Sequence, residues 1–87
     1  MQNKNTKCVI VTGGTRGFGK SVVEHFLRKG FNVATCSVSE ESCNSMRVNS
    51  SYNLERLYIN QCDISNNKKV QKFVASVIKK FEKIDVL

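Results

Sequence analysis

The segment formed by residues 8–21 constrains the fold more than any other part of this chain. An apolar run at its start leads into the glycine-rich residues 13–19, and apolar residues at helical spacing follow. This order is typical of a strand, a turn and a helix whose first backbone N–H groups remain free to bind a phosphate. The segment therefore predicts a phosphate-binding turn between a buried strand and a helix.

Strand and helix patterns alternate along the chain. The predicted strands cover residues 7–12, 32–36 and 54–62, and residues 84–87 begin a fourth. Apolar residues at helical spacing predict a helix over residues 18–29, with Gly30 as its stop. This alternation predicts an α/β fold with a parallel sheet.

Two further helices are predicted between the strands. Ser37 and Glu40 have the spacing of a capping box, which predicts a short helix over residues 38–47. Asp63 and Ser65 are expected to supply the turn and cap before a long amphipathic helix that ends at Phe81. The apolar residues of that helix recur at Val70, Phe73, Val74, Val77, Ile78 and Phe81.

The glycine-rich residues fit two different phosphate-binding patterns. Residues 14–21 match the P-loop pattern G-x-x-x-x-G-K-[ST], in which Lys20 would bind phosphate oxygens and Ser21 would bind Mg²⁺. Phe18 is bulky for that loop, and neither Asp63 nor Asp85 ends a continuous apolar strand, as a Mg²⁺-supporting acid should. These features disfavour a P-loop nucleotide hydrolase.

Residues 12–19 also match T-G-x-x-x-G-x-G, which closely resembles the cofactor loop of the short-chain dehydrogenase/reductase family. Asp63-Ile64-Ser65 resembles the D-[VI]-[ST] of that family, and residues 83–87 resemble the segment that leads into its fourth strand. The resemblance runs from Cys8 to Leu87. It implies a Rossmann-like doubly wound parallel sheet, truncated near the start of strand 4, with residues 1–87 as one incomplete NAD(P)-binding domain.

The resemblance also implies roles for individual residues. Gly13 permits the tight exit from the strand, Gly17 lets a pyrophosphate approach, and Gly19 lets the helix pack against the sheet. Asp63 would contact the adenine amino group and Ile64 would pack against the ring, whereas Lys20 becomes an ordinary solvent-facing residue. The expected cofactor-binding residues are Gly13, Thr15, Arg16, Gly17, Phe18, Gly19, Ser37, Asp63 and Ile64.

NADP(H) is expected in preference to NAD(H). An acid that would bind the ribose diol of NAD is expected about 20 residues beyond the loop, where this chain has the neutral Ser37. Arg16 matches a basic loop residue of NADP-preferring family members and offers a forked donor to a phosphate. Glu40 or Glu41 bending back to a ribose diol is the alternative.

The family's N-N-A-G, its Ser and its Y-x-x-x-K motif do not occur among residues 1–87, and neither Tyr52 nor Tyr58 has Lys four positions later. No catalytic residue and no metal site are assigned. The implied function is hydride transfer between a nicotinamide and a carbonyl/alcohol substrate, in a complete protein. A non-catalytic dinucleotide-binding or interaction module is the alternative.

Composition limits the remaining partners. Much of the net charge of +7 comes from lysines on the last helix, where a solvated face explains them without nucleic acid. The chain has no 18-residue apolar run that would span a membrane. Cys8, Cys36 and Cys62 lie in or at the end of strand-like runs, which predicts buried reduced thiols and a cytoplasmic protein. An exposed sheet edge predicts marginal stability and self-association.

Overall fold

The computed structural model of this protein describes residues 6–49 and 51–85. Helices and strands alternate in the order β1 (Cys8–Thr12), α1 (Gly17–Arg28), β2 (Asn32–Ser37), α2 (Glu40–Arg47), β3 (Leu57–Gln61) and α3 (Asn67–Phe81). The predicted α/β fold is confirmed.

The strands form a parallel sheet in which β2 lies between β1 and β3. Ile10 pairs with Ala34, and Ala34 pairs with Tyr58, so the carboxyl ends of all three strands meet at one edge of the sheet. The turn after β1 and the start of α1 lie at that edge. This edge is where open α/β sheets bind ligands.

Helices cover both faces of the sheet, as in a Rossmann-like doubly wound fold. On one face, α1 and α2 contribute Val23, Cys43 and Met46 to a buried cluster with Val9 and Leu57. On the other face, α3 packs three side chains against the sheet. These are Phe73, Val77 and Phe81, which belong to a cluster with Ile10, Cys36 and Cys62. All four cysteines are free and buried, which confirms the buried thiols predicted at Cys8, Cys36 and Cys62.

Two predicted helix caps are wrong, and each observed cap lies closer to the carboxyl end, although Asp63 and Ser65 do form the predicted turn. Because β2 continues through Ser37, the N-cap of α2 is Ser39, whose Oγ accepts a hydrogen bond from the Ser42 N–H at 3.1 Å. Asn66, rather than Asp63 or Ser65, caps α3 by accepting a hydrogen bond from the Lys69 N–H. The predicted end of α1 is confirmed, since Gly30 follows it with a φ of +91°.

The third strand begins three residues later than predicted. Asn53 accepts hydrogen bonds from the Glu55 and Arg56 N–H groups, so residues 54–56 form a turn instead of extending the strand. The Arg56 guanidinium then donates to the carbonyls of Leu27 and Phe31 and ties this turn to the end of α1.

The predicted fourth strand falls partly outside the described residues, because Val86 and Leu87 are not among them. Ile84 and Asp85 lie outside any helix or strand. Asp85 nevertheless contacts the free side of β1: its N–H donates to the Cys8 carbonyl, and its Oδ2 accepts from the Cys8 N–H, each at 2.8 Å. In the part of the chain that the structure describes, no helix is long and apolar enough to cross a membrane.

Candidate functional site

Residues 13–19, called the glycine loop below, form the turn after β1 and the first residues of α1. The Gly13 N–H donates to the Cys36 carbonyl at 2.9 Å, which extends the β1–β2 pairing by one residue. Gly13 then turns with a φ of +69°, and Gly17 enters the helix with a φ of +57°. Both angles lie in the left-handed region, where only glycine is free of steric cost.

Thr35 in β2 holds the start of the glycine loop at Gly14. The Gly14 N–H donates to Thr35 Oγ1 at 3.0 Å, and Thr35 Oγ1 donates to the Val11 carbonyl at 2.6 Å. A Cβ on Gly14 would overlap the side chains of Thr35 and Val23. The sequence motif did not single out Gly14 or Thr35. The sequence offered one indication of this contact: Thr35 is the one residue with a hydroxyl group among the buried residues of β2.

Gly19 allows the start of α1 to lie close to the turn after β1. A Cβ at this position would collide with the Gly13 carbonyl and lie against the Gly14 Cα. The close contact expected of Gly19 is therefore made with the loop backbone itself, directly after β1, rather than with the sheet. Helix α1 begins tight against the turn, and any side chain at position 19 would separate the two.

The start of α1 presents its backbone without a capping side chain. Arg16 is the N-cap residue, with extended backbone angles and no side-chain capping hydrogen bond. No acidic residue lies in the first turn. The first N–H groups of a helix have no intrahelical acceptor, and the helix dipole adds partial positive charge there. This arrangement suits an anion such as a phosphate.

The other expected site residues differ in exposure. Thr15 is buried within the loop, whereas the Phe18 ring is 86% exposed beside it. Ser37 ends β2, and its Oγ accepts a hydrogen bond from the Ser39 N–H at 3.1 Å. Ile64, after β3, is 59% exposed. Phe18 and Ile64 thus offer apolar surface near the carboxyl edge of the sheet.

Asp63 forms a tight turn with Ser65. Its Oδ1 accepts hydrogen bonds from the Ser65 Oγ at 2.7 Å and from the Ser65 N–H at 3.0 Å. These two bonds hold the pKa of the Asp63 carboxyl below its usual value, so the group is ionised at neutral pH. The carboxylate is exposed and can accept a further hydrogen bond.

Two open clefts flank the carboxyl edge of the sheet. The first has a volume of about 460 Å³ and lies between β3 and α3, with Val38, Asp63 and Phe73 in its wall. The second, called the loop–α2 cleft below, has a volume of about 290 Å³ and is lined by Thr15, Arg16 and residues of α2. The structure thus brings the glycine-loop residues together but places Arg16 and Asp63 on different clefts.

Lys20 lies in the wall of the loop–α2 cleft together with Arg16. It is half-buried, although the dinucleotide interpretation of the sequence predicts an ordinary solvent-facing residue. Glu41 lines the same cleft, and Glu40 does not. Of the two acids that could bend back toward a ribose, Glu41 is therefore the one beside Arg16 in the cleft.

Comparison with known proteins agrees with this fold and loop. The family model for short chain dehydrogenases matches residues 7–87. The chain belongs to this family. Membership supports the dinucleotide interpretation of the glycine loop over the P-loop interpretation and makes the chain part of an oxidoreductase family.

Individual relatives match nearly the whole chain. An NAD-dependent glycerol dehydrogenase from Listeria innocua is 33% identical over 85 residues, which cover 98% of this chain and 32% of the relative. An NADP-dependent 3-hydroxy acid dehydrogenase from Escherichia coli is 30% identical over 79 residues, which cover 91% of this chain and 31% of the relative. A short chain dehydrogenase from Bacillus anthracis has a crystal structure that matches this fold with a TM-score of 0.84 and 26% sequence identity. The match covers 97% of this chain and 35% of that protein. The chain spans about a third of the length of the relatives it matches.

Proposed function

We propose that residues 1–87 form the cofactor-binding part of an NADP(H)-dependent oxidoreductase of the short-chain dehydrogenase/reductase type. The complete protein would transfer a hydride between the nicotinamide and a carbonyl/alcohol substrate. The observation that carries this proposal is the glycine loop, in which close packing at Gly14 and Gly19 leaves the uncapped start of α1 open to an anion.

The cofactor pyrophosphate would lie against this helix start. Gly13 and Gly17 adopt left-handed conformations that carry the backbone around the anion, and no Cβ projects from either residue. The backbone N–H groups at the start of α1 would donate to the phosphate oxygens. Thr15, buried within the loop, would help to hold the loop backbone in this conformation.

The adenine end would lie toward the carboxyl end of β3. The Asp63 carboxylate would accept a hydrogen bond from the adenine amino group, and Ile64 would pack against the ring. The two hydrogen bonds from Ser65 orient the carboxylate for this role. The exposed Phe18 ring would be covered by another part of the cofactor.

The preference for NADP(H) rests on Arg16 and Ser37. Arg16 lines the loop–α2 cleft, and Ser37 ends β2 without the carboxylate that would repel a 2′-phosphate. One curated relative is named as NAD-dependent and another as NADP-dependent, so the relatives alone favour neither cofactor. The local charge therefore carries the proposal.

A second candidate is a dinucleotide-binding module without catalysis. It shares the glycine loop and the open start of α1 with the first candidate and differs from it in predicting no hydride transfer by the complete protein. Under either function this chain alone binds cofactor without turnover. We also propose a cytoplasmic location, in keeping with four reduced thiols.

Self-association through a sheet edge belongs to the same proposal. The outer edge of β3 is covered by Arg47, whose guanidinium donates to the Ile59 carbonyl. Within residues 6–49 and 51–85, the side of β1 that faces away from β2 is contacted by Asp85 at Cys8, and the strand continues beyond this contact to Thr12. Edge pairing between copies would therefore use β1.

Titration calorimetry with NADPH, NADH and ATP–Mg²⁺ tests the proposed function. We expect saturable binding of NADPH, weaker binding of NADH and no comparable binding of ATP–Mg²⁺. Tight ATP–Mg²⁺ binding with none of either dinucleotide would overturn the proposal. An assay of carbonyl reduction by the 87 residues should show no turnover.

A further inference from the structure

The loop–α2 cleft lies between the first turn of α1 and one side of α2. Ser42, Ser45 and Met46 lie at helical spacing along that side, and Asn49 follows the end of α2. Met46 is 4% exposed in the cleft wall. The complete lining is Thr15, Arg16, Lys20, Ser39, Glu41, Ser42, Ser45, Met46 and Asn49. Apart from Met46, every one of these side chains is polar or charged.

Two cations share one wall of the cleft. Arg16, the N-cap residue, and Lys20, in the first turn of α1, both line the cleft at the start of that helix. Among residues 6–49 and 51–85 the ion pair is Lys83–Asp85, so neither Arg16 nor Lys20 is paired with an acid there. Both cations remain available to an anion in the cleft.

The facing wall supplies neutral donors. Ser39 Oγ accepts the Ser42 N–H, which leaves its hydroxyl hydrogen available to donate. The hydroxyls of Ser42 and Ser45 follow along α2. Two cations and several hydroxyl donors match a phosphate monoester, which carries close to two negative charges and only acceptor oxygens.

We propose that Lys20 is a second cationic contact for the 2′-phosphate of NADP(H), acting with Arg16 from one wall while Ser42 donates from the other. This inference rests on the proposed function, because the cofactor must first be bound at the glycine loop. Glu41 contributes one negative charge against the two cations, so the three groups sum to a positive cleft. A dianion gains more from that charge than a neutral ribose diol does.

The test compares two small ligands that differ only in the 2′-phosphate. Adenosine 2′,5′-bisphosphate and adenosine 5′-monophosphate are titrated into the 87-residue chain and into its Lys20→Gln variant. Lys29→Gln is the matched control, since Lys29 is an exposed lysine at the other end of α1. Thermal unfolding of each variant checks that the fold is retained.

We expect Lys20→Gln to weaken the bisphosphate about tenfold, the loss typical of one charge-assisted hydrogen bond. The affinity for the monophosphate should change less than twofold, and Lys29→Gln should change the affinity for neither ligand. Lys20→Arg should restore most of the preference. Added salt should reduce the preference of the original chain more steeply than that of Lys20→Gln.

The outcomes separate this inference from the proposed function. If the original chain prefers the bisphosphate and Lys20→Gln keeps that preference, the role of Lys20 is overturned and the proposed NADP(H) preference stands. If Lys20→Gln weakens both ligands equally, Lys20 does not contact the 2′-phosphate. If the original chain binds the two ligands equally, both the cofactor preference and the role of Lys20 are overturned.

Discussion

Thr35 and Gly14 are joined by a buried hydrogen bond, from the Gly14 N–H to the Thr35 Oγ1 at 3.0 Å. The same hydroxyl donates to the Val11 carbonyl at 2.6 Å. One side chain of β2 thereby connects the end of β1 to the start of the glycine loop. Since Thr35 is fully buried, water cannot replace either bond.

Thr35→Val should destabilise the protein and loosen the glycine loop. The substitution keeps the size of the side chain but leaves the buried Gly14 N–H without its acceptor and removes the hydroxyl bond to the Val11 carbonyl, at an expected cost of about 1–3 kcal/mol. Thr35→Ser retains the hydroxyl and loses one methyl group, which should cost about 1 kcal/mol. Urea unfolding measures the stability of each variant, and an NADPH titration measures whether its glycine loop still binds the cofactor. Equal NADPH affinities for the two variants would show that the hydrogen bonds do not organise the site.

Gly19→Ala should move α1 away from the turn after β1. The new Cβ would overlap the Gly13 carbonyl, which is backbone and cannot move aside without distorting the loop. We expect a loss of stability of about 1–3 kcal/mol, typical of overpacking, and weaker NADPH binding. Ser21→Ala, an exposed position in the same helix, is the control. Unchanged NADPH affinity in Gly19→Ala would contradict the close approach that the structure shows.

Glu41→Gln should increase the preference for NADPH over NADH. Glu41 lines the loop–α2 cleft with Arg16, so its carboxylate opposes a bound 2′-phosphate. Removing this exposed charge should strengthen NADPH binding about two- to fivefold. Glu40→Gln, next to it and outside the cleft, should have a smaller effect. A loss of NADH affinity in Glu41→Gln would instead assign Glu41 to the ribose diol.

Asp85 should make stability depend on pH in the acid range. The hydrogen bond from the Cys8 N–H, followed by the charge of Lys83, lowers the pKa of the Asp85 carboxyl in the folded protein. Its stabilising contribution is therefore complete above the unfolded pKa of about 4 and is lost as the pH falls through the lower folded value. Urea midpoints at pH 7 and pH 3 should differ less for Asp85→Asn than for the original chain. An identical pH dependence would mean that the carboxylate does not hold β1.

The regular elements were predictable because their residues follow simple periods. The apolar positions of α3 repeat at helical spacing, and Phe73, Val77 and Phe81 are buried as that spacing predicts. Gly30 ends α1 because it can adopt a positive φ. The starts of α2 and β3 were less predictable, since each depends on how far the preceding strand or turn extends.

The contacts beneath the glycine loop could not be predicted from the motif. The pairing of β1 with β2 places Thr35 opposite Val11, and only this register brings its hydroxyl under Gly14. The position of Lys20 in a cleft could not be predicted either, because the periodicity of α1 does not show which other element lies beside it. Because α2 lies across a cleft from the start of α1, an apparently solvated lysine becomes part of a cleft wall.

Amide NMR spectra recorded during a titration with NADPH test the central claim most directly, namely that the glycine loop is a dinucleotide site. The account predicts the largest shifts at residues 13–20 and 37–39, with smaller shifts at Asp63 and Ile64 and none near the end of α3. Repeating the titration with NADH should reduce the shifts of Arg16 and Lys20 more than those of Gly13. Shifts confined to the cleft between β3 and α3, with residues 13–19 unmoved, would contradict the claim.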